Sequence, residues 1–321
     1  MLRFLALFGL GALAVAMPAT AQEKWPQRQV TLVVPFTAGG TTDIFARILA
    51  DGLQAKYKQP FIVENRPGAG GNIGTAAVVR APADGYTIMV GTISSHAINP
   101  YIYKNLSYDI EKDFQPVSLI ATTPNLLVIS KNVPVSNLAD FIAYVKKNSG
   151  KLNFGSSGAG TSQHLSAELF ALMTKTELTH VPFRSSGDTV NSLLGGHVDF
   201  AFDNITLVLP QVQGGNLRAL AVTSKERSPM APDLPTISEV LPGFEAVSWH
   251  GLFLRTEVPK AIAEQLAADV REILTKPQVV KQLTDIGVKP SPTTPAEFAV
   301  FLKAERAKWS EVAEKINLTV R

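Results

Sequence analysis

Two loops rich in glycine and hydroxyl side chains, each set between an apolar strand-like run and a helix-like run, constrain this chain more than any other feature. The first is Val33-Val34-Pro35-Phe36-Thr37-Ala38-Gly39-Gly40-Thr41-Thr42-Asp43. The second, far downstream, is Ser156-Ser157-Gly158-Ala159-Gly160-Thr161-Ser162-Gln163-His164. The first turn of any helix leaves backbone N–H groups without intrahelical partners, and the helix dipole places partial positive charge there. A loop of this kind is a ready anion site. One such loop is an ordinary connection. Two, distant in sequence and alike in composition, point to half-sites that close on one small anion.

Short apolar strands and amphipathic helices alternate around these loops, which signals a parallel or mixed sheet covered by helices. A strand over 29–35 leads to a helix capped by Thr41 or Thr42, with Ile44, Phe45, Ile48, Leu49 and Leu53 at helical spacing. A strand over 61–65, a tight turn over 68–74, a helix over 73–80 and a strand over 86–91 follow. Residues 113–130 hold two apolar runs split by Thr122-Thr123-Pro124-Asn125, expected to cross into a second unit. There the pattern restarts: a helix over 138–147, a strand over 152–155 and a helix carrying Leu165, Leu169, Leu172 and Met173. Strands over 178–182 and 198–202 flank a helix over 188–194, and a strand over 217–222 comes next. A proline-rich connection over 228–235 precedes a strand over 246–254 and helices over 259–275 and 278–286. The last helix opens with the capping box Thr294-Pro295-Ala296-Glu297. The expected units are therefore 22–122 plus 224–321, and 123–223, which together form an α/β protein of mixed sheets flanked by helices.

Composition narrows the function classes. There is no cysteine, which excludes disulfides, thiol catalysis and thiolate metal sites. The formal net charge is +3 with no basic run, so no nucleic-acid footprint is expected. Arg3, the apolar stretch from Phe4 to Met17 and Ala19-Thr20-Ala21 read as a secretory signal peptide over 1–21, cleaved after Ala21. His96, His164, His180, His197 and His250 are scattered singly, so neither a metal nor a cofactor is expected. Gly68-Ala69-Gly70 lacks the third glycine of a dinucleotide fingerprint, no phosphate-binding P-loop occurs, and Gly155-Ser156-Ser157-Gly158-Ala159 misses the last glycine of a nucleophile elbow. An exported serine esterase built on Ser157, His164 and Asp203 is the enzymatic alternative.

The residues left as candidates suit reversible carboxylate binding through neutral hydroxyls and N–H groups. Asp203-Asn204 falls at a strand's C-terminal end, where open α/β sheets place ligands. Phe36 and Phe183 wall an apolar part of the guest or pack in the core. His164, in the first turn after its loop, either faces the ligand or bonds to the loop.

At this level the chain closely resembles the solute-binding proteins of tripartite tricarboxylate transporters, the Bug family. The resemblance spans the chain after the first 21 residues. It is carried by Val34-Pro35-Phe36, Gly39-Gly40, Asp43, Val63 through Gly74, Asp84-Gly85-Tyr86-Thr87, Ile98-Asn99-Pro100, Asp113-Phe114, Gly155 through Gly158, Gly160-Thr161-Ser162, His164, Phe202-Asp203-Asn204 and Leu217 through Thr223. It implies a two-domain periplasmic binding protein of the Venus flytrap kind, type II-like, with the ligand cleft between the domains. It implies no catalysis, a periplasmic location and a monomer that hands a small organic acid to membrane permease subunits. A sensor subunit presenting its closed form to a receptor kinase is the alternative role. By resemblance, Phe36, Thr37, Ala38, Gly39, Gly40, Thr41 and Asp43 grip the carboxylate with Ser156, Ser157, Gly158, Gly160, Thr161, Ser162 and His164. Loops over 91–95 (with Ser94 and Ser95), 183–186 (with Phe183 and Arg184) and at Asp203-Asn204 line the remainder. The chain departs from the common pattern at Thr37-Ala38 and His250, so the ligand's distal group does not carry over.

Overall fold

The computed structural model describes residues 25–320. The expected signal peptide over 1–21 lies outside them. In chain order the elements are β1 (Val30–Val34), α1 (Thr41–Tyr57), β2 (Phe61–Asn65), α2 (Asn72–Val79), β3 (Thr87–Thr92), α3 (Asn99–Ile102), β4 (Phe114–Ile129), α4 (Leu138–Lys147) and β5 (Asn153–Ser156). They continue as α5 (Ser162–Thr174), β6 (Thr179–Pro182), α6 (Ser186–Leu194), β7 (Phe200–Asn204), α7 (Ile205–Gln213), β8 (Arg218–Val222), β9 (Val247–Arg255), α8 (Lys260–Leu274), α9 (Pro277–Thr284), β10 (Lys289–Pro290) and α10 (Pro295–Ile316).

One strand joins the two halves of the molecule. The first part of β4, from Phe114 to Pro124, pairs antiparallel with β9, and its last part, from Asn125 to Ile129, pairs with β7 and β8. The first half is ordered β2-β1-β3-β9-β4, with β1 parallel to β2 and β3. The second runs β4-β7-β5-β6, with β5 parallel to β6 and β7. The sequence suggested two apolar runs here. The structure makes one long strand because register shifts near Pro116 and Leu119 absorb the irregularity that proline imposes.

The central strands carry few polar residues because both of their faces are covered. Val30, Leu32 and Val34 meet α1 and α8 through Phe45, Leu49, Leu266 and Val270. In the second half, Leu126, Val128 and Ala201 meet Val190, Val208 and Leu209. Phe154, Phe200 and Phe202 join the core that reaches Trp309 and Phe298 of α10. Met230 and Leu234 pack on the second half, and Ala246 N–H donates to Thr223 O. We therefore place the return crossing at Ala246–Val247 rather than at residue 224.

The capping box forms as read: Thr294 Oγ1 accepts from Glu297 N, and Glu297 Oε2 accepts from Thr294 N. Other elements differ from the expectation, and α3 and β10 have no counterpart in it. Gly40, not a threonine, is the N-cap of α1 and makes no side-chain cap bond; Thr41 and Thr42 lie inside the first turn with their hydroxyls bonded elsewhere. Helix α7, which holds Pro210 inside it, has no counterpart in the reading, because proline breaks the local helical signal.

Candidate functional site

The first loop is held from behind. Asp43, in the first turn of α1, accepts from Gly39 N at 2.9 Å, from Arg47 Nε at 2.9 Å and Nη2 at 3.0 Å, and from Asn65 Nδ2 at 3.0 Å. Asn65 Nδ2 also donates to Phe36 O at 3.1 Å. Burial acts to raise the Asp43 pKa, but Arg47, the Gly39 N–H and Asn65 together hold it below the ordinary value. Asp43 thus fixes the loop's shape, and the loop backbone faces the space between the halves.

The second loop rests on stacked rings. His164 Nδ1 accepts from Gly160 N at 3.2 Å, which leaves Nε2 as the protonated nitrogen, 3.4 Å from Glu168 Oε1. Its ring stacks on His180 at 3.8 Å, and His180 stacks on Phe154 at 4.9 Å. His180 Nε2 lies 2.6 Å from Ser156 Oγ, which also accepts from Gly158 N at 3.2 Å. Thr161 caps α5 by accepting from His164 N. The esterase triad does not assemble: both His164 nitrogens are engaged within the loop and α5, and Asp203 bonds to other groups.

The wall of the second half brings two more helix starts to the same place. Ser185 caps α6 by accepting from Asp188 N at 3.1 Å, and Asn204 begins α7. Asp203, fully buried at the end of β7, accepts at Oδ1 from Asn204 N at 2.7 Å, Ser186 Oγ at 2.9 Å and Gln163 Nε2 at 3.3 Å. Asn204 Nδ2 donates to Asn125 Oδ1 at 2.6 Å, and Asn125 Nδ2 to Ser166 Oγ at 3.2 Å, which ties β7, β4 and α5 together.

Between the halves lies a cavity of about 370 Å³. Of the expected residues, Phe36, Thr37, Ala38, Gly39, Gly40, Thr41, Ser94, Ser157, Ser162, Arg184 and Asn204 line it. Asp43, Ser95, Ser156, Gly158, Gly160, Thr161, His164, Phe183 and Asp203 do not. They sit in the layer behind: Ser95 Oγ is 2.8 Å from His96 Nδ1, Phe183 packs against Gly155 and the core beside α6, and Gly160 packs against Asn99 and Tyr103. The lining also takes in Thr42, Thr92, Gln163, Ser185, Ser186, Gly187, Val190, Asn191, Leu207, Gln211, Ser248 and His250. The loops of Thr92, Ser185 and Ser186 and the departure at His250 are visible in the sequence; Ser248, Leu207 and Gln211 carry no local signal there.

Four helix starts therefore converge on this space, α1 from the first half and α5, α6 and α7 from the second. Among the described residues, Arg184 is the only ionised side chain in the lining, and no carboxylate lines it. The buried Thr92 Oγ1 and His250 Nε2 have no partner among the described residues, although both residues line the cavity. Burial holds His250 neutral, with its pKa lowered to about 3, and Thr42 Oγ1 lies 3.2 Å from its Nδ1. With Thr42 donating there, Nε2–H is a donor toward a guest. The halves meet over the cavity through Thr41 Oγ1 and Thr206 Oγ1 at 2.5 Å and through Ser162 Oγ and Ser248 Oγ at 3.0 Å.

The buried titratable groups predict an acid-sensitive fold. Burial, with His164 adding to it, lowers His180 to about 3, and burial lowers His250 to about 3. A base depressed in this way contributes stability that is present above its ordinary pKa of about 6.5 and is lost as pH falls toward 3. Asp203 acts oppositely. Burial raises it to about 6 against the bonds from Gln163, Asn204 N and Ser186, so its protonated form favours folding at low pH and that gain fades as pH rises through 6. Burial holds His96 well below its ordinary pKa as well, so three histidines oppose one aspartate, the urea midpoint should fall between pH 6.5 and 4.5, and the fall should be shallower in His180→Phe. A midpoint that rises over that range would contradict these environments.

Comparison with known proteins agrees with this architecture. The family described as the tripartite tricarboxylate transporter family receptor matches residues 45–318. The chain is 34% identical to protein BugT of Bordetella pertussis over 325 residues, covering 100% of this chain and 99% of BugT. Its fold superposes on R. palustris Rpa4515, solved with adipate, with a TM-score of 0.89 at 40% identity, covering 92% of this chain and 99% of that one. MatC from Rhodopseudomonas palustris, solved with bound malate, gives a TM-score of 0.84 at 34% identity, covering 90% and 99%. The α/β periplasmic binding protein fold expected from the sequence is thus shown, and among the described residues no helix is long and apolar enough to cross a membrane. The family match over residues 45–318 and the 34% identity to BugT over the whole chain make this protein, with its two facing hydroxyl-rich loops, a member of the tripartite tricarboxylate transporter receptor family, the Bug-type periplasmic solute receptors.

Proposed function

We propose that this protein captures a small organic carboxylate between its two halves and delivers it to the permease subunits of a tripartite tricarboxylate-type transporter, after export through a signal peptide cleaved behind Ala21. One observation carries the reading: four helix starts from both halves and the Arg184 guanidinium border one cavity whose lining holds no carboxylate. Each helix start favours an anion by about 0.3–1 kcal/mol when exposed, and by more where closure excludes water. Contact from both halves is what makes a ligand favour the closed form, since only differential contact shifts such an equilibrium. In this reading the guest is held and released unchanged. Phe36, Val190 and Leu207 offer an apolar wall to the body of the guest. Rpa4515 and MatC, which bind adipate and malate, make those two acids the first to test.

A thermal-shift screen across mono-, di- and tricarboxylates tests the proposal. The right acid at a hundredfold its Kd stabilises by about 2.7 kcal/mol. Arg184→Glu, an exposed charge reversal at the rim, should weaken binding about tenfold, or 1.4 kcal/mol. Indifference of the protein to every acid, or of the affinity to Arg184→Glu, would remove the basis of the reading.

A further inference from the structure

The strands that floor the cleft have a second face. Ser248 and His250 of β9 point into the front cavity, whereas their neighbours Val247 and Trp249 line a separate cavity of about 640 Å³ behind it. This is the alternation of any strand, here placed at the junction of the two halves. In the antiparallel register Trp249 pairs with Thr122 and Val247 with Pro124, and all four residues line the rear cavity. One wall comes from the first half through Val288 and Phe301. The other is the segment 224–230, whose Met230 packs on the core of the second half.

The charges around this cavity are largely spent on one another. Lys225 and Lys308 both pair with Glu245, at 3.4 Å and 3.5 Å. Arg227 pairs with Glu239 at 2.8 Å. Glu305 accepts from the indole nitrogens of Trp249 and Trp309 at 2.9 Å and 3.2 Å. Lys289 and Glu226 are opposite in sign. No helix start comparable to those of the front cavity is among the lining residues. The rear space therefore has the volume and the apolar, partly aromatic lining of a small-molecule site at a domain junction, without an electrostatic preference for an anion.

We propose that the rear cavity binds an uncharged aromatic small molecule, and that its occupation is coupled to closure of the front cleft. The coupling follows from β4, the strand that both halves share, with β9 paired along its first part. A hinge at β4 that opened the front would bring the 224–230 segment toward α9 and α10 at the back and narrow the rear space. A molecule there favours the closed arrangement, and whatever closes the front raises the rear affinity by the same factor.

The test uses N-phenyl-1-naphthylamine, an uncharged fluorophore that brightens in apolar surroundings, with the full-length exported protein and no carboxylate present. Saturable brightening at one probe per chain is expected. Val247→Trp, which fills the space from the strand, and Met230→Glu, which places a charge on its exposed edge, should each weaken the probe at least tenfold. Neither residue lines the front cavity, so carboxylate binding reports that each variant is folded. Gly160→Ala, which wedges the front seam apart, should weaken the probe several-fold relative to Gly215→Ala, a glycine of similar φ in open space. Brightening that survives both rear variants would place the probe elsewhere and overturn the site. Absence of brightening would overturn the site equally. Equal probe affinity in the two glycine variants would overturn the coupling. Failure of every carboxylate to bind would count against the proposed function; urea denaturation would then report that each variant is folded, and the probe readouts would still decide the rear site.

Discussion

Gly160→Ala should leave a folded protein whose carboxylate affinity has fallen by about a hundredfold or more. Gly160 has φ +79°, and a Cβ there would lie 2.2 Å from Asn99 Oδ1, 3.0 Å from Tyr103 Cε2 and 3.1 Å from Ile102 Cδ1. Those three residues belong to the first half and Gly160 to the second. Asn99 cannot swing aside cheaply, because its Nδ2 donates to Gly70 O at 2.9 Å and Asn72 Oδ1 at 2.6 Å. The neighbouring seam is as tight: Tyr103 Oη donates to Ala159 O at 3.0 Å, and a Cβ on Gly70 would stand 2.4 Å from that same oxygen. The added methyl therefore opposes contact between the halves rather than the core of either one. A protein whose binding-competent closed state falls to a hundredth of its population binds a hundredfold more weakly. The left-handed backbone itself costs an alanine about 1–2 kcal/mol, and Gly215→Ala isolates that term, since Gly215 has φ +68° and nothing within 4 Å of a Cβ. Titration calorimetry on both variants decides the matter: near-parental affinity in Gly160→Ala would show that this seam does not govern closure.

Phe202→Ala should lower the stability of the fold by about 3–5 kcal/mol. The Phe202 ring is fully buried, with centroids 5.8 Å from Phe170, 6.2 Å from Phe200 and 6.3 Å from Phe244. Three aromatic neighbours anchored on α5, on β7 and in the segment before β9 cannot all collapse into the space it leaves, so the cavity penalty adds to the lost burial. The loss is large against a total of about 5–15 kcal/mol. It also loosens the end of β7, where Asp203 holds Gln163 and Ser186 in the cleft wall, so weaker carboxylate binding should accompany it. Val300→Ala, on the exposed side of α10, should change stability by less than about 0.5 kcal/mol. Urea denaturation measures both, and a Phe202→Ala cost under about 1.5 kcal/mol would mean the surrounding core repacks.

The elements were legible where local physics decides them. The apolar run of β1, the Asn137-capped helix α4 and the Thr294–Glu297 capping box are each specified by residues within a few positions of one another. The two hydroxyl-rich loops were legible for the same reason, since a strand that must turn into a helix within a few residues needs small and capping side chains. The layer around them was not. Thr41 reads as a cap until Thr206, far along the chain, is seen to take its hydroxyl. His164 reads equally well as a ligand group or as a support until Gly160 and His180 are seen to hold its ring.

Left to itself, the sequence determined most of the strands and helices, though not α3, α7 or β10, that glycine and hydroxyl loops join them at two distant points, and which family the chain resembles. The tertiary structure alone decided which face of β9 looks forward, so that Ser248 and His250 border one cavity while Val247 and Trp249 border another. It alone placed Asp43, His164 and Asp203 behind the cleft rather than in it. The reason is physical: period and capping are set by neighbours in sequence, whereas the direction a side chain faces depends on which distant strand pairs beside it, and that pairing follows from the packing of the whole core.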